Sequence, residues 1–313
     1  MADQVVTLFG GGGFLGRYVT QALMRGGARV RIAERNPKDA WFLKPQGGLG
    51  QSQFIAADIT KPATIARAFA GADAAVNLVG ILAGNFQAVH VDGARNVAEL
   101  AAAAGLEALV QVSAIGADPG APSGYGRSKG EGEAAVRAAY PAATIVRPSI
   151  IFGPEDGFVN RFARMAEAWP VLPVVRSSAK FQPVYVADVA QAIARAVLDP
   201  KAHAGHAYEL GGPEVIEMGA LIDWICEATG RTPTRIAIPD AVGEKLASFG
   251  FLPGAPITRD QWLMLQRDNV VAPGAAGFAA FGINPSPLAA VAPKWLVRYR
   301  RGGRFSLGQR AAS

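Results

Sequence analysis

The chain has 313 residues, enough for a large buried core in two domains or one elaborated one. Half of the residues are hydrophobic and 18% are charged, a balance that excludes disorder and suits a globular α/β protein. The net charge of +6 is matched by the basic residues Lys294, Arg298, Arg300, Arg301, Arg304 and Arg310, with no acid after position 290, so the rest of the chain is neutral.

A buried strand is predicted over residues 5–9, a glycine turn over 10–16, a helix over 17–25 and a second strand over 30–33. Gly10, Gly13 and Gly16 fit Gly-x-x-Gly-x-x-Gly, while Gly11, Gly13 and Gly16 fit the tighter Gly-x-Gly-x-x-Gly. Strand, turn, helix and second strand at these distances make the front half of a dinucleotide-binding unit. The glycines permit the turn, the approach to a pyrophosphate and close helix packing, and the first N–H groups of the helix suit the phosphates. The end of the second strand selects the cofactor. An acid there accepts the ribose 2′-hydroxyl of NAD, and an arginine favours the 2′-phosphate of NADP. The chain carries both, Glu34 and Arg35.

A glycine-rich connection (43–50) leads to a third strand (53–57) that runs into Asp58 and Ile59. A helix (63–69) and a fourth strand (74–80) follow, the strand ending Asn77-Leu78-Val79-Gly80. Next come a helix (91–105) and a fifth strand (109–113) that ends on Ser113. Twelve residues later stand Tyr125 and Lys129, which at i and i+4 share one helix face and could reach one nicotinamide ribose. Hydride transfer to a carbonyl needs a proton donor, so Ser113, Tyr125 and Lys129 are the catalytic candidates; otherwise they only hold the cofactor. A sixth strand (144–148) and a further one at 207–212 complete the pattern, and Asp188 reads as a helix cap.

Strands alternating with helices predict an α/β fold: a Rossmann-type doubly wound parallel sheet with a smaller carboxyl-terminal substrate or docking region. The expected divisions are a dinucleotide-binding core (1–152), an interleaved substrate-side region with strands returning to the core (153–240) and a basic extension (241–313). Near the end, Leu288, Val291, Trp295 and Tyr299 fall on one side of a helical wheel that Pro293 interrupts, with the basic residues beside them. That part either packs on its own domain or docks on an anionic membrane surface or a partner protein. Nucleic acid is not expected, because no recognised module accompanies the charge. The single cysteine, Cys226, lies in a helix-like apolar pattern and fits a reducing compartment. His90, His203 and His206 lack metal-ligand spacing, so no metal is expected. With a strand starting near Val5 and no membrane-spanning run, the expected location is cytoplasmic, at most peripheral on the inner membrane.

Gly10, Gly13, Phe14, Leu15 and Gly16 resemble the turn of extended and atypical short-chain dehydrogenases/reductases, and Arg35-Asn36-Pro37 resembles their NADP-binding members. Over nearly its whole length the chain resembles one atypical branch, the nucleotide-binding accessory subunit of respiratory complex I and its bacterial relatives. Residues 10–18, 43–58, 77–80, 125–129, 147–156, 182–188, 258–260 and 281–283 carry this likeness. It implies bound NADP(H) rather than NAD(H), contacted by Gly10, Gly13, Phe14, Leu15, Gly16, Glu34, Arg35, Asp58, Ile59, Asn77, Gly80, Tyr125 and Lys129. It also implies association with complex I subunits. Two other functions stay open: an NADP-dependent oxidoreductase acting on a quinone, quinone precursor or other carbonyl, and an NADP(H) redox sensor.

Overall fold

The structure, a computed structural model, describes residues 4–250 and 257–303. Residues 251–256, and Arg304 and Arg310 of the basic end, lie outside the described residues. The chain forms two compact units, each discontinuous in sequence. Unit 1 comprises Met1–Pro148, Val186–Leu210 and Ala272–Asn284; unit 2 comprises Ser149–Tyr185, Gly211–Val271 and Pro285–Ser313.

Unit 1 is built on a seven-stranded sheet. Its first six strands are β1 (Val5–Phe9), β2 (Arg29–Glu34), β3 (Ser52–Ala56), β4 (Ala74–Asn77), β5 (Ala108–Val112) and β6 (Thr144–Pro148), and Ala207–Leu210 is the seventh. In space they run seventh, β6, β5, β4, β1, β2, β3, and every pairing is parallel. The order reverses between β1 and β4, the switch point where such sheets open a ligand crevice. The inner strands are continuous apolar runs because both faces are covered: Leu8, Ile32, Val76, Val110 and Ile145 are all fully buried. Helix α1 (Phe14–Arg25) packs against the helix Val186–Leu198, and α3 (Gly93–Ala103) packs against α2 (Pro62–Phe69) and α4 (Gly124–Ala139).

Two connections depart from a plain helix. Between β2 and β3 the chain makes a 3₁₀ segment, Pro37–Gln46, capped by the Asn36 side chain and containing Pro45. Before α3 it makes a π-helical stretch, Gln87–Asp92, so the helical path begins four residues before the predicted 91. Residues 272–284 are tied to the seventh strand, since Glu209 accepts from the Ala272 N–H at 2.8 Å and the Phe281 ring packs on Tyr208 with centroids 4.5 Å apart.

Unit 2 gathers Phe152, Val159, Leu221, Ile225, Leu288, Trp295, Leu296 and Tyr299 into one core. Pro293 starts a new short helix, Pro293–Leu296, after Leu288–Val291, as its ring geometry requires. Two of the basic residues here are held by backbone carbonyls, while Lys294 and Arg301 are exposed. Arg298 donates to the Pro154 carbonyl at 2.6 Å and Arg300 to the Ala228 carbonyl at 2.9 Å. Tyr299 completes the clasp with its hydroxyl on Asn160 Oδ1 at 3.1 Å. One local expectation changes: Asp188 sits inside the first turn of Val186–Leu198 and is not its cap. The short helix Arg259–Met264 opens on Thr258 with a full capping box with Gln261. The Asn269 side chain accepts from the Ser149 hydroxyl and the Ile150 N–H. Cys226 is half-buried, and burial followed by the nearby Asp223 pushes its thiol up. Among the described residues no helix is long and apolar enough to cross a membrane.

Candidate functional site

The glycine turn between β1 and α1 is made of backbone. Gly10 has φ +80°, a left-handed conformation that favours glycine, and its carbonyl accepts from the Gly13 N–H at 3.1 Å. A Cβ on Gly16 would lie 2.3 Å from the Gly10 oxygen and 2.5 Å from the Gly11 oxygen, so only glycine fits where helix meets turn. Helix α1 starts after Gly13 with no side-chain cap and no acid in its first turn. Its leading N–H groups and the positive end of its dipole are therefore left for an anion. Phe14 and Leu15 are partly exposed on that first turn, and Phe14 meets Tyr18 edge to face at 6.1 Å.

At the end of β2, Glu34 turns back onto the glycine turn and accepts from the Gly12 N–H at 2.6 Å. Desolvation raises its carboxyl above the usual range, against the lowering effects of that N–H and of Arg35. Arg35 itself is exposed. It helps to lower the Asp58 carboxyl: desolvation would raise it, but the Thr60 N–H and hydroxyl, Lys61 and Arg35 together prevail. Those Thr60 contacts measure 3.0 and 2.8 Å and close a local turn after β3. The side chain of Ile59 is 4% exposed in the core beneath α3. Asn77 is wholly buried and donates to Gln111 Oε1 at 2.9 Å while accepting from the Val79 N–H. The side chains of Asn77 and Ile59 are thus taken up within the fold.

The second cluster is made of side chains. Ser123 caps α4 by accepting from the Gly126 N–H, which fixes the start of the helix carrying Tyr125 and Lys129. Lys129 is buried and donates to the Val112 carbonyl at 3.1 Å; burial lowers it from 10.5 to about 8, partly offset by Glu133. Burial pushes Tyr125 up to about 12. A Cβ on Gly80 would lie 3.5 Å from Lys129 Nζ and 3.7 Å from His90 Nε2, so Gly80, Lys129 and His90 converge. At the end of β5, Ser113 is 5% exposed and its hydroxyl has no hydrogen-bond partner among the described residues. A buried hydroxyl left unpaired is costly, and a ligand polar atom would satisfy it.

His90 escaped the sequence reading. Its Nε2 accepts from the Ile81 N–H at 3.0 Å, which places the ring proton on Nδ1, donated to Ser128 Oγ at 2.9 Å. Ser128 in turn donates to the Tyr125 carbonyl at 3.0 Å. The ring stacks on Phe86 at 5.3 Å and meets Tyr125 edge to face at 5.5 Å. Burial, then repulsion from Lys129, lowers it to about 4, so it is neutral at physiological pH. The bland sequence Gln-Ala-Val-His-Val-Asp gave no sign of the π-helical turn that aims this ring.

A glycine turn at the switch point of a parallel sheet, with a serine after β5 and a Tyr–Lys pair on α4, is the arrangement of a Rossmann protein of the short-chain dehydrogenase type. Residues 6–211 match the NAD dependent epimerase/dehydratase family. Over 96% of its length the chain is 33% identical to the NADH dehydrogenase (ubiquinone) 1 alpha subcomplex subunit 9 of Arabidopsis thaliana, covering 79% of that protein. The mouse protein of the same name is 35% identical over 95% of the chain, with 80% of it covered. The fold is similar to that of an NADPH-dependent quinone oxidoreductase from Escherichia coli, solved with NADPH, at TM-score 0.75 and 22% identity, covering 93% and 99% of the two chains. The chain belongs to the NAD dependent epimerase/dehydratase family, in the branch of the subunit 9 proteins.

Proposed function

We propose that the protein holds NADP(H) in unit 1 and acts as an accessory or assembly factor of respiratory NADH:ubiquinone oxidoreductase. The observation that carries this is the reach of the subunit 9 likeness, 33–35% identity over 95–96% of the chain. It runs well past residue 211, where the general family match ends, and so includes most of unit 2.

In this reading the Gly10–Gly16 turn and the first turn of α1 receive the pyrophosphate. Arg35 meets the 2′-phosphate, supported by the engagement of Glu34 with the Gly12 N–H. Asp58 and the Ile59 backbone border the adenine, and the Asn77–Gly80 backbone borders the nicotinamide end. Lys129 binds the ribose beside it. The bound dinucleotide would supply hydride-transfer chemistry. With its hydroxyl near 12, Tyr125 stays protonated at neutral pH and suits a proton donor, not a base.

The unpaired Ser113 hydroxyl supports a second reading, an active oxidoreductase in which Ser113 orients a substrate oxygen next to Tyr125. Protein purified without added nucleotide separates the two. Stoichiometric NADPH that quinones and aldehydes leave reduced, in a chain that co-migrates with the respiratory complex on native gels, is the result expected for an accessory subunit. Oxidation by an acceptor, lost in Tyr125→Phe, would make it an enzyme. Release of NAD(H) alone would remove Arg35 from its assigned role.

A further inference from the structure

The connection between β2 and β3 reverses the usual placement of its side chains. Ala40 and Leu43 are fully buried and anchor it, yet Trp41 and Phe42 between them are 46% and 45% exposed, and Leu49 further on is fully exposed. Large apolar side chains grouped outside a fold mark an interaction surface. Here they are interleaved with cations. The Lys44 ammonium lies 4.1 Å from the centre of the Trp41 ring and Lys38 6.0 Å from it, while the Arg17 guanidinium lies 4.8 Å from the Phe42 ring. With Arg35, that is a group of basic residues on or beside one segment. The acid within it, Asp39, accepts from the Asn36 side chain at 2.8 Å.

We propose that this segment, Pro37 to Leu49 in unit 1, is a docking surface for an anionic phospholipid bilayer. Tryptophan rings settle at headgroup depth, and ammonium groups beside them meet lipid phosphates while their stems cover the rings. The charge is complementary to that surface, and three protruding apolar side chains suit contact with the interface, not a span. Arg298 and Arg300 of the basic end, by contrast, are held by carbonyls of unit 2. The inference does not depend on the accessory-subunit reading.

Flotation of the full-length protein, with its bound nucleotide, on vesicles of phosphatidylcholine alone and mixed with phosphatidylglycerol tests it. Wild type is expected to float with the mixed vesicles only, and less so at high salt. Lys38→Glu/Lys44→Glu is expected to weaken binding by about tenfold or more. Trp41→Ser/Phe42→Ser should weaken it severalfold, with thermal midpoint and bound nucleotide unchanged in both variants. Lys294→Glu/Arg301→Glu should float as wild type does. The proposal is overturned by a wild type that stays with neither vesicle, as an acidic protein partner would require. It is equally overturned if Lys38→Glu/Lys44→Glu floats normally, or if binding is lost through Lys294 and Arg301 instead.

Discussion

The glycine turn and the Tyr125–Lys129 cluster lie in the same unit but are made of different material. At the turn the groups without a side-chain cap are backbone N–H groups, and the Glu34 side chain accepts from one of its neighbours, the Gly12 N–H. At the cluster the groups are side chains that already bond one another or nearby carbonyls, as His90 does through Ser128 and Lys129 does to Val112. A backbone site is fixed by what cannot be added to it. A side-chain site is tuned by burial and by neighbouring charge, and can change role without changing the fold.

That contrast can be broken most directly at the turn. Gly16→Ala puts a methyl group against two carbonyl oxygens that cannot move aside. It should cost ~3 kcal/mol or more, read by denaturant unfolding, and empty the protein of nucleotide. If the variant is stable and loaded, the turn is not as rigid as its geometry requires. Arg35→Ala comes next: calorimetric titration should show roughly 10- to 100-fold weaker NADPH binding, with NADH little changed. Equal losses for both would mean that Arg35 does not read the 2′-phosphate.

The cluster should announce itself through pH. Lys129 falls from 10.5 to about 8 on folding. Below about pH 8 both folded and unfolded chains carry the proton, so the desolvation cost is present in full. Between 8 and 10.5 the unfolded chain holds more proton, and unfolding free energy should rise by up to ~3 kcal/mol. Urea titrations of Lys129→Met should lack that rise. His90 gives the smallest effect and sits on the acid side. Its folded value of about 4, against 6.5 for the free side chain, means that stability is lost as pH falls through that window. His90→Asn should flatten the slope by roughly 1 kcal/mol after solvent screening. An unchanged acid limb would show that His90 is open to solvent.

The turn was legible in the sequence because its requirements are local: glycines at fixed spacing between a strand and a helix admit few other folds. Strands β1 to β6 were legible for the same reason, as short apolar runs punctuated by glycine and alanine-rich helices. Glu34 and Arg35 were legible as the acid and base that end β2, but the 2.6 Å contact of Glu34 to Gly12 is one that residue types do not encode. His90 was missed because a π-helical turn carries no residue signature. For the basic terminus residue types left packing and docking both open, since charge counted along a chain says nothing of the carbonyls that Arg298 and Arg300 reach.

The clasp of Tyr299 on Asn160 has a consequence for how the chain is made. Leu288, Trp295, Leu296 and Tyr299 complete the unit 2 core that begins at Phe152, and residues 272–284 return to a sheet whose first strand is Val5–Phe9. Neither unit can close while those residues are still inside the ribosome. During synthesis both present unfinished apolar surface until residues 272–299 have emerged, a long window open to aggregation.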